Sequence, residues 1–411
     1  MVLKAVVSYR SVPRILTLFN TQTPLTLDWI PHFSSVINWT LRLGLGILKQ
    51  VQPTYQPWVA IIDHSIDIGT KKALVVLRVK MNALSQGKQA ITLKDCACIG
   101  LKISEKVNGE CIALELEEIF NNAGMPDAII KDTDYTLQKG VRLWSEKQEV
   151  SIPVIDDISH VMANALKAQF ETSKTYQRFT ALISQCAKRL RQTDLAFLTP
   201  PKLRTKGRFL SISKLGKWGN KMLEVLAVKG RAKQHSTLAR LRTALSGFIL
   251  LKPFIIRFAN NATVVCNIME VLKNKGLDQT SHQQCYQLSN TLPNSIVKKR
   301  IQHWLQKHIE IQQQITQLPL LVSSDIIESL FGSFKYIIER SPQADMNRTT
   351  LLIPALCGNI DENMITQAFS TASHHDLKTW EENNIPYTVR KRRQSFFNTN
   401  ESQKPINNIL M

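Results

Sequence analysis

Three short apolar runs each end on a single carboxylate, and no other feature constrains the fold as much. Trp58–Val59–Ala60–Ile61–Ile62–Asp63 and Ala128–Ile129–Ile130–Lys131–Asp132 are continuous runs of strand length, the pattern of a strand covered on both faces. Each places an Asp where its strand ends. Ser324–Asp325–Ile326–Ile327–Glu328 instead opens a helix. Ile327, Phe331, Phe334 and Ile338 form one apolar stripe along it, with Glu328 and Lys335 two turns apart on a neighbouring face. Asp325 followed by Glu328 also has the spacing of a capping box, so the sequence leaves a structural role for Glu328 open.

The segments between these runs predict an α/β core. Ile66–Lys72 supplies a turn, Ala73–Val79 a second strand antiparallel to the first, and Ala90–Ile103 holds a third. Asn108 caps a helix through Glu115 and Phe120 that Gly124 ends. After the strand at Ala128–Asp132 come a short helix near Leu137, a strand over Val150–Ile155 and a helix from Ile158 to Phe170. Strand, strand, strand, helix, strand, helix, strand is the order of a ribonuclease-H-like mixed sheet. The core is expected over residues 55–170, to resume over 321–375, and to be interrupted by a helical insertion at 171–320. A polar tail over 376–411 carries Arg390–Lys391–Arg392–Arg393 and is expected to be flexible.

Residues 1–50 predict a helical N-terminal domain. Pro13 sits in the first turn of a helix through Phe19, and Ser34 or Ser35 caps a second with Val36, Trp39, Leu43 and Ile47 at helical spacing. Two such helices form either a helix-turn-helix reader, with Arg42 on DNA, or a cap packed on the next domain. Gly44 and Gly46 weaken the second helix.

Charge narrows the partner. The 411 residues carry a formal net charge of +20, which attracts polyanions and releases counterions on binding. Between Lys188 and Lys252 stand sixteen Lys and Arg against two acids, Asp194 and Glu224. So one-sided a segment favours a phosphate-binding face, with double-stranded DNA as the expected partner. Trp218 lies among these bases as either a base-stacking residue or a core residue. The start of the chain does not read as a signal peptide, and the apolar region near Phe248–Leu251 reads as too short for a membrane span, being broken by Lys252, Pro253 and Arg257. A cytoplasmic, nucleoid-associated protein with no membrane partner is expected. The Cys96–Cys98 pair lacks matching ligands for zinc, and the thiols are expected to be reduced and mostly buried.

Two Asp and one Glu gathered on one sheet suit a pair of divalent ions about 4 Å apart, which can activate an attacking oxygen and stabilise a leaving one in phosphoryl transfer. Asp67 is the alternative to Asp63, Asp127 or Asp134 to Asp132. Asp156, Asp157 and His160 either line the same cleft or cap a helix; His303 and His308 do not share a helix face.

Trp58–Ser65, Pro126–Gly140 and Ser323–Lys335 together resemble the DDE transposases of bacterial insertion sequences. The resemblance implies a ribonuclease-H-like catalytic core, Asp63, Asp132 and Glu328 as catalytic ligands of two Mg2+ (or Mn2+) ions, and Lys335 as a DNA contact near the cut. It also implies a homodimer or higher oligomer on paired DNA ends. Many such enzymes place Tyr and Arg seven and four residues before the Glu; here those positions are Leu321 and Ser324. A transposase-derived DNA-binding protein without catalysis, and a ribonuclease-H-like nuclease or resolvase, remain the alternatives.

Overall fold

The computed structural model describes residues 1–400 apart from 25, 69–70, 85–89, 106, 203–208, 210–211, 229 and 339–346. The turn at Gly69–Thr70, the side chain of Asp67, residues Arg204, Lys206, Arg208, Lys229 and Arg340, and the tail to Met411 lie outside the described residues.

The chain divides into two compact units. The first comprises Met1–Ala83, Ile91–Ile155 and Ser324–Met411. It opens with helices α1 (Val2–Ala5), α2 (Ser11–Gln22) and α3 (Phe33–Lys49), followed by strands β1 (Trp58–Ile68), β2 (Lys71–Lys80) and β3 (Cys96–Ser104). Helix α4 (Gly109–Ala123), β4 (Ala128–Lys131), α5 (Tyr135–Lys147) and β5 (Val154–Asp156) complete a five-stranded mixed sheet in the order β3-β2-β1-β4-β5. β1 pairs antiparallel with β2 and parallel with β4. The class is α/β.

Alternation along the strands assigns the two faces. Trp58, Ala60 and Ile62 of β1 pack with Leu74, Val76 and Ile129 against Ile112, Leu116 and Phe120 of α4 and Leu137, Val141 and Trp144 of α5. Ile61, Val75, Leu77 and Ile130 point the other way and are equally buried. Cover on both faces explains why the strands read as unbroken apolar runs. α4 has the ends its sequence predicts: Asn108 accepts the Cys111 N–H at 2.8 Å, and Gly124 closes the helix at φ 83°.

Residues 1–50 fold into this unit rather than apart from it. α3 packs on α14 (Leu352–Ala355) and α15 (Glu362–Thr371), the arrangement of a cap. Gly44 and Gly46 make it possible: a Cβ at Gly44 would overlap the Leu351 carbonyl, and one at Gly46 the Ala368 carbonyl. The residues that weaken the helix are those that let it approach its neighbours. The unit ends with α16 (His374–Asn384) and α17 (Val389–Asn400). The basic run at 390–393 thus lies on a helix, whose first turn is capped by the Thr388 hydroxyl accepting the Lys391 N–H at 3.1 Å.

The second unit spans Leu84–Ala90 and Asp156–Ser323. Apart from short 3-10 turns its described elements are α-helices: α6 (Ile158–Phe170), α7 (Lys174–Leu190), α8 (Ile212–Leu226), α9 (Thr237–Ala244), α10 (Lys252–Lys275), α11 (Gln279–Asn290) and α12 (Ile296–Ile315). It begins before residue 171 because α6 packs on α10 and α12. Phe170 of α6 meets Phe254 and Phe258 of α10 edge-on, with ring centroids 5.9 and 5.2 Å apart.

The apolar region near Phe248 is longer than its sequence suggests. Pro253 falls in the first turn of α10, where a missing N–H costs nothing, so it starts the helix instead of breaking it. Residues Ile249–Lys275 are long and apolar enough by length and composition to cross a membrane, yet half of the most apolar stretch is buried inside the unit. α10 packs against α6, α8 and α11, as a core helix does.

Candidate functional site

The register of one strand pair brings two of the three carboxylates together. Ile61 of β1 lies opposite Ile130 of β4, and Ile62 opposite Lys131. The next residue on each chain is an Asp. Asp63 and Asp132 therefore stand at equivalent positions on neighbouring parallel segments, whose backbones run about 4.8 Å apart. Ile62 points toward α4 and α5, so by alternation Asp63 and Asp132 point to the opposite face. Both are half-buried.

One detail differs from the sequence expectation. β1 does not stop at Asp63, which pairs with Val75 while the strand continues to Ile68. What stops is the parallel pairing with β4. β1 overhangs its shorter neighbour, and Asp63 occupies the step. The polar residues after Asp63 hide the continuation: His64 and Ser65 pair with Leu74 and Ala73 of β2, beyond the last residue of β1 that pairs with β4.

The competing carboxylates are committed elsewhere. Asp127 accepts the Trp58 N–H at 2.8 Å, tying the start of β1 to the turn before β4. Asp134 caps α5, accepting the N–H groups of Thr136 and Leu137 at 2.8 and 3.1 Å. Asp132 accepts from the Thr133 N–H through Oδ1, and the Thr133 hydroxyl lies 3.2 Å from the same oxygen.

Glu328 comes from α13 (Asp325–Ile338). The helix packs on β1, and its buried residues Ile327, Leu330, Phe331, Phe334 and Ile337 all lie outside the α4–α5 cluster. That places α13 on the Asp63–Asp132 face. With the helix starting at Asp325, Glu328 is its fourth residue, one beyond the position a capping box needs. Glu328 and Lys335 are both exposed. Among the described residues no three His, Cys, Asp or Glu side chains gather into an ion-holding group. Glu328 shares the face of the Asp pair without completing a three-ligand set.

The Asp pair alone suits a hard cation. Magnesium takes oxygen ligands and keeps several waters, so two adjacent carboxylates fit it with coordination to spare.

His64, next to Asp63, is a neighbour that the spacing of the apolar runs does not flag. It faces the Leu74 side of the sheet. Burial lowers its pKa to about 4, opposed by the Asp134 carboxylate and reinforced by Lys72. A neutral imidazole on the far side of β1 adds no charge to the Asp pair.

Two residues expected on DNA have other partners. Arg42 donates from Nε to the Ala372 carbonyl at 2.8 Å and from Nη2 to Phe369 at 3.0 Å, and lies over the Phe369 ring at 4.8 Å. Its guanidinium closes the C-terminal end of α15. Trp218, in the helical unit, donates from Nε1 to the Leu198 carbonyl at 3.0 Å and meets Phe248 edge-on. Both contacts hold the half-buried ring against its own unit.

Within the helical unit Asp157 caps α6, accepting the His160 N–H at 2.9 Å and contacting the His160 ring at 2.8 Å. His308 is fully buried while His303 is exposed. All seven cysteines are free, and burial pushes the Cys96 and Cys98 thiols up to about 12.

No protein-family model matches the chain, and no curated protein matches it significantly. A solved structure, the Drosophila P element transposase strand transfer complex, is similar with a TM-score of 0.39 and 11% sequence identity, over 86% of this chain and 96% of that one.

Proposed function

We propose that the chain is a DNA transposase of the DDE type, built on a ribonuclease-H-like core. The observation that carries the reading is the side-by-side placement of Asp63 and Asp132 at the end of the β1–β4 pairing. The strand order β3-β2-β1-β4-β5, with β2 antiparallel to β1 and β4 parallel to it, supports the core assignment. The +20 charge supports a polyanionic substrate.

In this reading Asp63 and Asp132 hold Mg2+ or Mn2+, and Glu328 is the third ligand, brought in by α13 when DNA is bound. Two bound ions would supply Lewis acidity at the scissile phosphate and a nucleophilic oxygen at neutral pH. Lys335, two turns beyond Glu328, would hold a phosphate beside the cut. Water would hydrolyse a phosphodiester at the element's end, and the freed 3′-hydroxyl would then attack a target phosphodiester at the same residues, forming the new ester as the target's own 3′-oxygen leaves. Assembly on paired ends as a homodimer or higher oligomer, and a place with the nucleoid in the cytoplasm, belong to the same proposal.

A second reading has one observation in its favour. The absence of a three-ligand group among the described residues is what a DNA-binding relative without catalysis would show. The two are separated by incubating the protein with pre-cut, 3′-hydroxyl-ended duplexes and target DNA in magnesium. Joined products that vanish in Asp63→Asn support the transposase. Cleavage without joining points to a nuclease or resolvase. Binding without either reaction supports the second reading.

A further inference from the structure

The helical unit carries most of the positive charge, but many of its arginines are engaged. Arg189 donates to the Thr243 carbonyl at 3.0 Å, Arg242 to the Val228 and Gly230 carbonyls, and Arg240 to Asp194 at 2.8 Å. α8 is different. Its buried residues Ile212, Leu215, Gly216, Gly219, Met222 and Leu223 form one face, and the helix packs on α10. Gly216 and Gly219 let the two helices approach closely: a Cβ at Gly216 would lie 3.0 Å from the Ala259 Cα. Lys214, Lys217 and Lys221 recur at helical spacing on the opposite side, and all three are exposed. They span about 10 Å of helix axis. The one acid of α8, Glu224, sits at the end of this row with Oε1 3.3 Å from the Asn220 side-chain nitrogen.

We propose that the Lys214–Lys217–Lys221 face of α8 is a docking surface for the phosphate backbone of duplex DNA, and that it binds without reading sequence. Charge complementarity argues for the occupant, because duplex DNA presents one negative charge per about 1.7 Å of axis. The lack of readout follows from the side chains. Discrimination among bases comes chiefly from forked Arg, Asn and Gln side chains in a groove or from stacking rings, whereas an all-lysine row suits phosphate. Lysine is a point charge without a planar fork, and the one aromatic of the helix, Trp218, is turned toward Leu198 and Phe248. The inference rests on the DNA-processing reading above but is tested by binding alone, so loss of cleavage in Asp63→Asn leaves it untouched.

The test is the salt dependence of affinity. Full-length protein is titrated into a fluorescein-labelled 30-base-pair duplex of random sequence between about 50 and 200 mM salt. Three phosphate contacts contribute about 2.7 to the slope of log K against log salt, at about 0.9 each. The triple variant Lys214→Gln, Lys217→Gln, Lys221→Gln should lose that much slope, equally on duplexes of different sequence. Glu224→Gln should tighten binding, an effect that damage to the fold cannot imitate, so the proposal stays testable if the triple variant folds poorly. Lys299→Gln, exposed on α12, controls for net charge. The proposal is overturned if the triple variant keeps its slope and Glu224→Gln does not tighten binding. It is equally overturned if Lys299→Gln costs as much slope per charge as the stripe, or if the stripe governs binding to phosphatidylserine vesicles and not to DNA.

Discussion

Asp63 and Asp132 are neighbours because Ile62 and Lys131 are registered partners, and because β4 stops where β1 continues. Each Asp extends a strand whose previous residue points into the α4–α5 core, so neither side chain can turn inward without shifting the register. A one-residue slip of either strand would move its carboxylate to the wrong face and part the pair. Position here is a property of the sheet.

Asp63→Asn and Asp132→Asn should each reduce metal-dependent DNA cleavage by more than about 100-fold, the scale already reached when a partner one shell out from a metal is lost. DNA affinity and thermal stability should change little, since both residues are half-buried. Cleavage of a labelled duplex in magnesium, beside a binding titration, reads both.

Gly44→Ala and Gly46→Ala should destabilise the sheet-bearing unit by about 1–3 kcal/mol each. Alanine is the better helix former by about 1 kcal/mol, so propensity alone predicts the opposite sign. Overlap with the carbonyls of Leu351 and Ala368 decides it. Denaturant midpoints measure the difference.

Arg42→Met should cost about 1.5–3 kcal/mol of stability, because two carbonyls at the end of α15 lose a charged donor. If Arg42 acts through α15 alone, affinity for DNA at fixed salt should hold. A change in affinity at unchanged stability would return Arg42 to the DNA surface.

His308 should make the helical unit acid-sensitive. Nδ1–H donates to the Trp304 carbonyl at 2.8 Å and Nε2 accepts the Asp156 N–H at 3.1 Å, so both nitrogens are used by the neutral ring. Burial lowers its pKa from 6.5 to about 4, with Lys307 and His303 adding to the shift and the Trp304 hydrogen bond and Asp156 opposing it. Above pH 6.5 folded and unfolded states are both neutral and His308 adds no dependence. Between 6.5 and about 4 only the unfolded state takes the proton, and stability falls with pH by up to about 3 kcal/mol. His308→Gln, compared with the parent by urea unfolding at pH 7 and pH 5, should show a smaller loss.

Much of the fold is legible where one local signal suffices. Asn108 and Gly124 bracket α4, the apolar runs mark β1 and β4, and the helix from Ile158 to Phe170 has the predicted ends. Features set by partners far along the chain are not legible. Nothing near Gly44 announces Leu351, and nothing near Arg42 announces the end of α15. β1 outruns its apolar stretch because the rest of it pairs with β2 alone. Pro253 reads as a break because its place in the first turn depends on where α10 begins. At the candidate site, spacing marks Asp63 and Asp132, and the register places them together. The engagement of Asp127 depends on folding, since the Trp58 N–H it accepts is distant in the chain, whereas the α5 cap at Asp134 is local.

The most direct measurement is anomalous scattering from crystals of the protein with a pre-cut DNA end, grown in manganese. Two peaks are expected within about 2.2 Å of carboxylate oxygens of Asp63 and Asp132, with Glu328 drawn onto one of them. Peaks elsewhere, or none between the two aspartates with DNA in place, would contradict the proposed ion site.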